Sequence, residues 1–599
     1  MSVKFSTLAG APDARRIAFL PMRPRLFALL ALVALAVTAA PAAAKPRAAK
    51  RLKIFSSCQT LIGYATRHVP PAPPRPSVPP MEDGGIVPDR ITAPAAPEDT
   101  SQTNVQEAGG DETDTVKTDA MTIFAIANSQ LHAIDARAQT PKLLGTLPLE
   151  DGWGTTMLLR RDRALLLGGG PNGARMTEVD VSDPSKPTAL RTEDVDGTIV
   201  DARLTGRTAR VVVSSYPEAV YGPAEVRAQP EGWLPTRTVA NARTGHSVTR
   251  RVACRKVRRP SVFSGAGVLT VYTIDTTRGL PAVDVDAIFT SGDTVYASPS
   301  SLYVATQRWE TEGANTSIHR FDISDPDRTA YTASGMVPGS LLNQFSLSED
   351  RGVLRAASTV GFGPDAESEV TMLTHRDGRL DQLGQVGGLG RGERIYAVRF
   401  IGDVGYVVTF RQTDPLYTVD LADPANPRVR GELKIPGYSA YLHPIGDDLL
   451  LGVGQEATDD GRLQGLQLSL FDVSDVARPV RLQQAQLGER WSHSAVEWDH
   501  HAFLWWPATK LALLPVDSEG FQGAVGFRVG RASGIAEIGR ISHADAGASW
   551  TPPVSRAAVV GDRLFTVSDL GVKASGLERF GDRGWVAFPQ PPTPTPMTR

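Results

Sequence analysis

An apolar, β-rich strand that ends in Asp and runs into a Ser-Asp-Pro-like turn recurs through most of this chain. It occurs as LHAIDARAQTP around Asp135, EVDVSDPSKP around Asp180, VYTIDTTRGLP around Asp275 and HRFDISDPDR around Asp322. It returns as TVDLADPANP around Asp420 and LFDVSDVARP around Asp472, with degenerate copies MLTHRDGRL near His375 and GFRVGRASGI near Arg528. Successive anchors lie 45, 95, 47, 53, 45, 52 and 56 residues apart, and the interval of 95 contains a polar insertion. A period of about 50 residues accommodates four short strands with their turns, which is one blade of a β-propeller. The copy that opens at Ser439 shows the four runs directly: AYLHPI, DLLLGV, LQLSLFDV and PVRLQQAQL. The expected fold is therefore all-β, a β-propeller of eight four-stranded blades preceded by a short N-terminal helix. Eight copies are complete and RAAVVGDRLFTVSDLGVKA is a partial ninth, which could pair with N-terminal strands to close the ring. Seven or nine blades also fit the period. Paired β-sandwiches are the alternative, but they seldom hold one turn chemistry at one spacing over about 400 residues.

The recurrent Asp is read as a turn cap, since its carboxylate accepts backbone N–H bonds two residues on. Pro after the turn fixes φ where no ladder bond is needed.

Outside the repeats the chain divides by composition. Residues 1–44 read as a signal peptide: Arg15, Arg16, Arg23 and Arg25 precede the apolar run Leu26 to Val37, and Ala42-Ala43-Ala44 fits a cleavage site. That run is about 12 residues, short of the ~20 that cross a bilayer. No cysteine marks a lipoprotein anchor. Without this segment 58 basic residues face 64 acidic ones, a mild excess that excludes nucleic acid as a general partner. Residues 45–69 hold an amphipathic helix read from Phe55 to His68, with Phe55, Cys58, Leu61, Ile62 and Ala65 on one face. Residues 70–102 are a linker, with ten prolines between Pro70 and Pro97. The propeller spans 103–588, interrupted by a basic insertion at 217–262 expected to project from it, and 589–599 form a Pro-rich tail.

Four features carry resemblance to a known family: TNVQEAGGDETDTVKTD (Thr103 to Asp119), the helix FSSCQTLIGYA, the segment SAVEWDHHAFLWWP and the closing VGDRLFTVSDLGVKA. Together they resemble a prokaryotic secreted β-propeller family whose C-terminal propeller is distantly related to WD repeats. The resemblance covers roughly residues 52–588. Gly110, Thr113 and Ala120 depart from the family's usual pattern and spare its acidic residues. It implies the fold and export, and no activity.

Candidate chemistry is sparse. Glu107, Asp111, Glu112 and Asp114 crowd the start of the propeller and offer oxygen ligands for calcium, although their spacing matches no EF-hand loop. The plainer reading makes them strand caps and counter-charges for Lys117 and nearby arginines. The run Trp491 to Trp506 contains His493, Glu497, Asp499, His500, His501 and four tryptophans. A His–carboxylate set can ligate zinc, yet strand-like alternation sends neighbours to opposite faces, which favours a structural Asp–His hydrogen-bond network. In the insertion, seven basic residues and no acid lie between Arg243 and Arg259. Arg250, Arg251, Lys256, Arg258 and Arg259 can hold a polyanion such as an acidic glycan or an acidic protein face; the bland reading is a solvated loop. Cys58 and Cys254 are the only cysteines, and export favours a disulfide between them over a buried thiol plus an exposed one. No G-x-S-x-G elbow, P-loop, H-E-x-x-H or G-x-G-x-x-G opening a helix occurs.

The expected role is therefore a monomeric binding or interaction scaffold, secreted or periplasmic, for a protein or acidic glycan. It has no cofactor other than the calcium considered above and no transmembrane segment in the mature chain. A polysaccharide hydrolase or lyase working at the channel mouth is the alternative.

Overall fold

Four consecutive antiparallel strands form the repeating unit of this computed structural model, which describes residues 53–69, 99–150, 152, 154–259, 263–310, 313–411, 413–458, 460–544 and 550–590. The leader 1–44, nearly all of the linker and most of the tail lie outside the described residues. Among the described residues nine four-stranded units are present, one more than the eight expected and within the range the period allowed, and we number them as blades 1–9. They span residues 116–148, 156–196, 198–288, 294–338, 347–389, 394–436, 438–486, 504–541 and 556–587. Each of the eight sequence anchors falls at or near the end of a third strand, from Asp135 in blade 1 to Arg528 in blade 8. The partial ninth copy is a complete blade. Its third strand, Gly571–Gly576, ends without the turn Asp and bends through Phe580 at φ 53°, so the signature missed it.

The ring closes by side-chain packing. Nine apolar clusters each join one pair of neighbouring blades, from blades 1 and 2 around to blades 8 and 9. The last pairs Ile123 and Ile134 of blade 1 with Phe565 and Val572 of blade 9. Second strands are the most buried, as in Thr208–Ser215, where all eight residues are covered. Fourth strands such as Val480–Gln486 are largely open to solvent and mark the rim. First strands therefore line the centre.

The turn Asp works as its chemistry requires. The Oδ1 atoms of Asp135, Asp180, Asp275, Asp322, Asp420 and Asp472 each accept the backbone N–H two residues on, at 2.9–3.1 Å. In Asp180 the Ser182 hydroxyl bond, against some burial, holds the carboxyl below its usual range.

The insertion does more than project. It enters between the second and third strands of blade 3. Its hairpin, Thr236–Asn241 with Ser247–Arg251, adds two strands to the outer edge of blade 2. Its strand Val257–Arg259 joins the outer edge of blade 3 in parallel and takes up Lys53–Ile54 beside it. Rim strands offer unpaired N–H and C=O groups, and extra strands satisfy them. The N-terminal helix α1 runs over Cys58–His68 and so starts later than the pattern suggested, because Ser57 and Thr60 form a capping box. Leu61, Tyr64 and Ala65 bury against Trp233, Val257 and Phe289. Cys58 and Cys254 are bonded, with Cα atoms 5.3 Å apart. No helix among the described residues is long and apolar enough to cross a membrane.

Candidate functional site

Residues 99–115 run through the centre of the ring as a hub segment before the chain enters blade 1. Ser101 N–H donates to Val559 O, and Ser101 Oγ accepts from Val559 N–H, both on the first strand of blade 9. The Asn104 amide donates to the carbonyls of His500 (3.1 Å) and Phe503 (2.9 Å) at the start of blade 8, and to the Tyr441 hydroxyl of blade 7. Gln106 donates to Leu347 O of blade 5, and Glu107 accepts the Tyr296 hydroxyl of blade 4 at 2.6 Å. The short strand Asp111–Glu112 pairs with the free edge of blade 3, and Asp114 bridges to Met157 of blade 2. With Lys117 of blade 1 donating to Thr103 and Asp111, one stretch thus touches eight of the nine blades, which leaves the channel filled by the chain itself.

The carboxylates weighed as calcium ligands each have other partners, Lys117 and an arginine among them. Burial pushes Glu107 up despite its bond from Tyr296. Asp111 takes the Lys117 ammonium at 2.6 Å, and Asp114 takes Arg556 Nε at 2.6 Å. Burial alone would raise Asp114, but Arg556, with His501 and Lys117, more than reverses this and holds it below its usual range. Glu112 is fully buried, with Oε1 3.5 Å from Arg203 Nε and Oε2 3.5 Å from His501 Nε2. Arg203 also pairs with Asp201, and Arg556 bridges from Asp114 to Asp499 at 2.6 Å. A cavity of about 60 Å³ lies among Asp111, Asp114, Lys117, His501 and Arg556, room for a water or two.

Arg556 is the keystone of this hub, and Arg556→Ala is expected to cost about 3–5 kcal/mol because Asp114 stays buried without its counter-charge. Urea unfolding measures this; a loss below about 1 kcal/mol, the scale of an exposed pair, would contradict it.

Most of the basic insertion residues have acidic or aromatic neighbours within the protein. Arg251 pairs with Glu231, Lys256 with Asp284 and Arg258 with Asp286. The Arg258 and Arg259 guanidinium groups also lie over Tyr331 and Tyr64, at 5.1 and 5.0 Å. Arg250 stands on the exposed hairpin and lines a pocket of about 420 Å³ with Arg191, Arg237, His246 and Arg278.

Sequence reasoning missed a larger groove, about 720 Å³, on the face where first strands begin. It runs from Arg394, Tyr396 and Tyr438 to Arg490, Trp491 and Trp498. Trp491 is 82% and Trp498 56% exposed. Arg490 lies 5.0 Å over the Trp491 ring and Arg394 5.0 Å over Tyr396. Glu497, pushed up by burial, accepts from Gln455 at 2.7 Å in the floor. The clustered tryptophans were the available signal; which of them face solvent is set by the loop that joins blades 7 and 8.

A family profile described as "Beta propeller domain" matches residues 100–580. An uncharacterised protein of Methanocaldococcus jannaschii is 46% identical over 182 residues, covering 30% of this chain and 28% of that one. An uncharacterised protein of Archaeoglobus fulgidus is 43% identical over 218 residues, covering 36% and 32%. The matches thus span about a third or less of these relatives. Among solved structures, the Pseudomonas aeruginosa periplasmic gluconolactonase PpgL aligns at a TM-score of 0.33 and 14% identity, covering 52% of this chain and 88% of that one. Likeness at that level carries no argument about activity.

Proposed function

Because the chain belongs to the Beta propeller domain family, we propose that it is an exported binding scaffold that holds an acidic glycan in the Trp491–Trp498 groove. One observation carries the reading: two large indoles stand in water beside Arg394 and Arg490. Exposed aromatic surface of this size marks a recognition site. Flat rings suit the apolar faces of sugars, and the guanidinium groups suit carboxylates. The hub segment supports a binding role over a channel-mouth hydrolase or lyase, since it occupies the channel that such an enzyme would use. The Cys58–Cys254 bond supports export, since disulfides persist in oxidising compartments.

Affinity electrophoresis in polygalacturonate, with dextran as the neutral control, tests the proposal. The parent should be retarded by the acidic polymer alone, and Trp491→Ala with Trp498→Ala should weaken binding about tenfold or more. Arg394→Ser with Arg490→Ser should weaken it and reduce its salt sensitivity. Equal mobility of parent and tryptophan variant refutes the groove.

A further inference from the structure

The hub places Glu112, on the short strand beside blade 3, against His500 and His501, in the turn that opens blade 8. One donor atom from each lies within 4.8 Å of the other two, and Glu112 and His500 are buried. We propose that Glu112, His500 and His501 bind a divalent transition-metal ion, zinc by donor type, which ties the hub segment to blade 8.

Geometry supports this first. Zinc bonds of about 2.0–2.1 Å in a tetrahedron set ligand atoms about 3.4 Å apart, and Glu112 Oε2 stands 3.5 Å from His501 Nε2. His500 supplies a third donor atom within 4.8 Å of both, its ring being stacked on His501 at 4.8 Å. Two imidazoles and a carboxylate form a recognised zinc donor set that leaves a fourth position for water.

The surroundings support it next. His501 Nδ1 lies 3.3 Å from Asp499 Oδ1, and Arg556 holds the other oxygen of Asp499. A carboxylate behind the far nitrogen of a ligating imidazole fixes its tautomer and raises its basicity. Arg203, beside Oε1 of Glu112, leaves Oε2 as the atom that faces the histidine. The site is also rich in carboxylates: Asp111, Glu112, Asp114, Asp201 and Asp499 share it with Lys117, Arg203, Arg556 and His501, a setting that suits a divalent cation.

The test uses the full mature chain. After dialysis against dipicolinate and then zinc, mass spectrometry of the metal content should give about one equivalent per chain. Cobalt in place of zinc should give visible bands of low-coordinate geometry. Glu112→Gln and the pair His500→Gln, His501→Gln should lose the metal, while Asp111→Asn keeps it. If those variants do not fold, the parent still decides. Chelation should lower its melting temperature, and zinc, but not magnesium or calcium, should restore it. Less than a tenth of an equivalent on the reloaded parent, an unchanged melt after chelation, or full metal in the histidine variant would overturn the site.

Discussion

Between pH 7 and pH 4, a His132→Gln, His319→Gln, His543→Gln variant is expected to lose less stability than its parent, by up to about 9 kcal/mol. His132 and His319 are buried between the third and fourth strands of blades 1 and 4, and His543 is buried where the end of blade 8 meets the second strand of blade 9. His132 pairs with Thr146 at 3.1 Å, His319 with Ser334 at 2.7 Å, and His543 with Ser568 and Thr566 at 2.7 and 2.9 Å. Burial pushes each from the ordinary 6.5 down to about 4, with Lys573 adding to the effect at His543. The unfolded chain therefore takes up a proton near pH 6.5, while the folded protein refuses one until near pH 4. The contribution is fully present above 6.5 and is lost as pH falls towards 4, about 3 kcal/mol for each histidine. Two buried carboxylates work in the opposite sense. Burial lifts Glu369 to about 7 and Asp201 to about 6, so their ionisation cost disappears as pH falls. Both proteins carry them, and they cancel in the comparison. Glutamine keeps a hydrogen-bonding side chain without a titration. Urea unfolding from pH 7.5 to pH 4 supplies the measurement, and parallel stability curves for parent and variant would exclude these histidines as the cause.

Removing the Cys58–Cys254 bond is expected to cost up to about 5 kcal/mol, the chain-entropy value for a closure across 196 residues. The loss should appear at the N-terminal helix and not in the ring. Helix α1 rests on the apolar cluster with Trp233 and Phe289, and Lys53–Ile54 adds a two-residue strand. Those contacts must then offset the entropy of a long, Pro-rich connection without help. Cys58→Ser with Cys254→Ser should expose residues 53–69 to proteolysis and amide exchange, while the blades stay protected. Unaltered protection of the helix and an unaltered melt would show that packing alone holds it.

Much of the architecture was legible in the order of residues. Strand alternation, the turn Asp and the period of about 50 residues report interactions within a blade, where partners lie a few residues apart and chain chemistry is local. The same locality explains the failures. Blade 9 lacks the turn Asp, so its strands carried no anchor; its four paired strands show it to be complete, and its packing against blade 1 closes the ring. The acids from Glu107 to Asp114 were visible as a cluster, but a backbone that turns at 107–109 and then runs on as a strand sends them towards different blades. His500 and His501 stood out beside Asp499; nothing nearby in the chain announced Glu112. The sequence by itself determined an all-β repeat array with capped turns and two cysteines placed outside the blades. Tertiary structure alone decided how many blades close the ring, that the acidic segment fills its centre, and which tryptophans face water. Ring closure is a packing solution over hundreds of residues, and it brings together groups whose separation along the chain no local preference records.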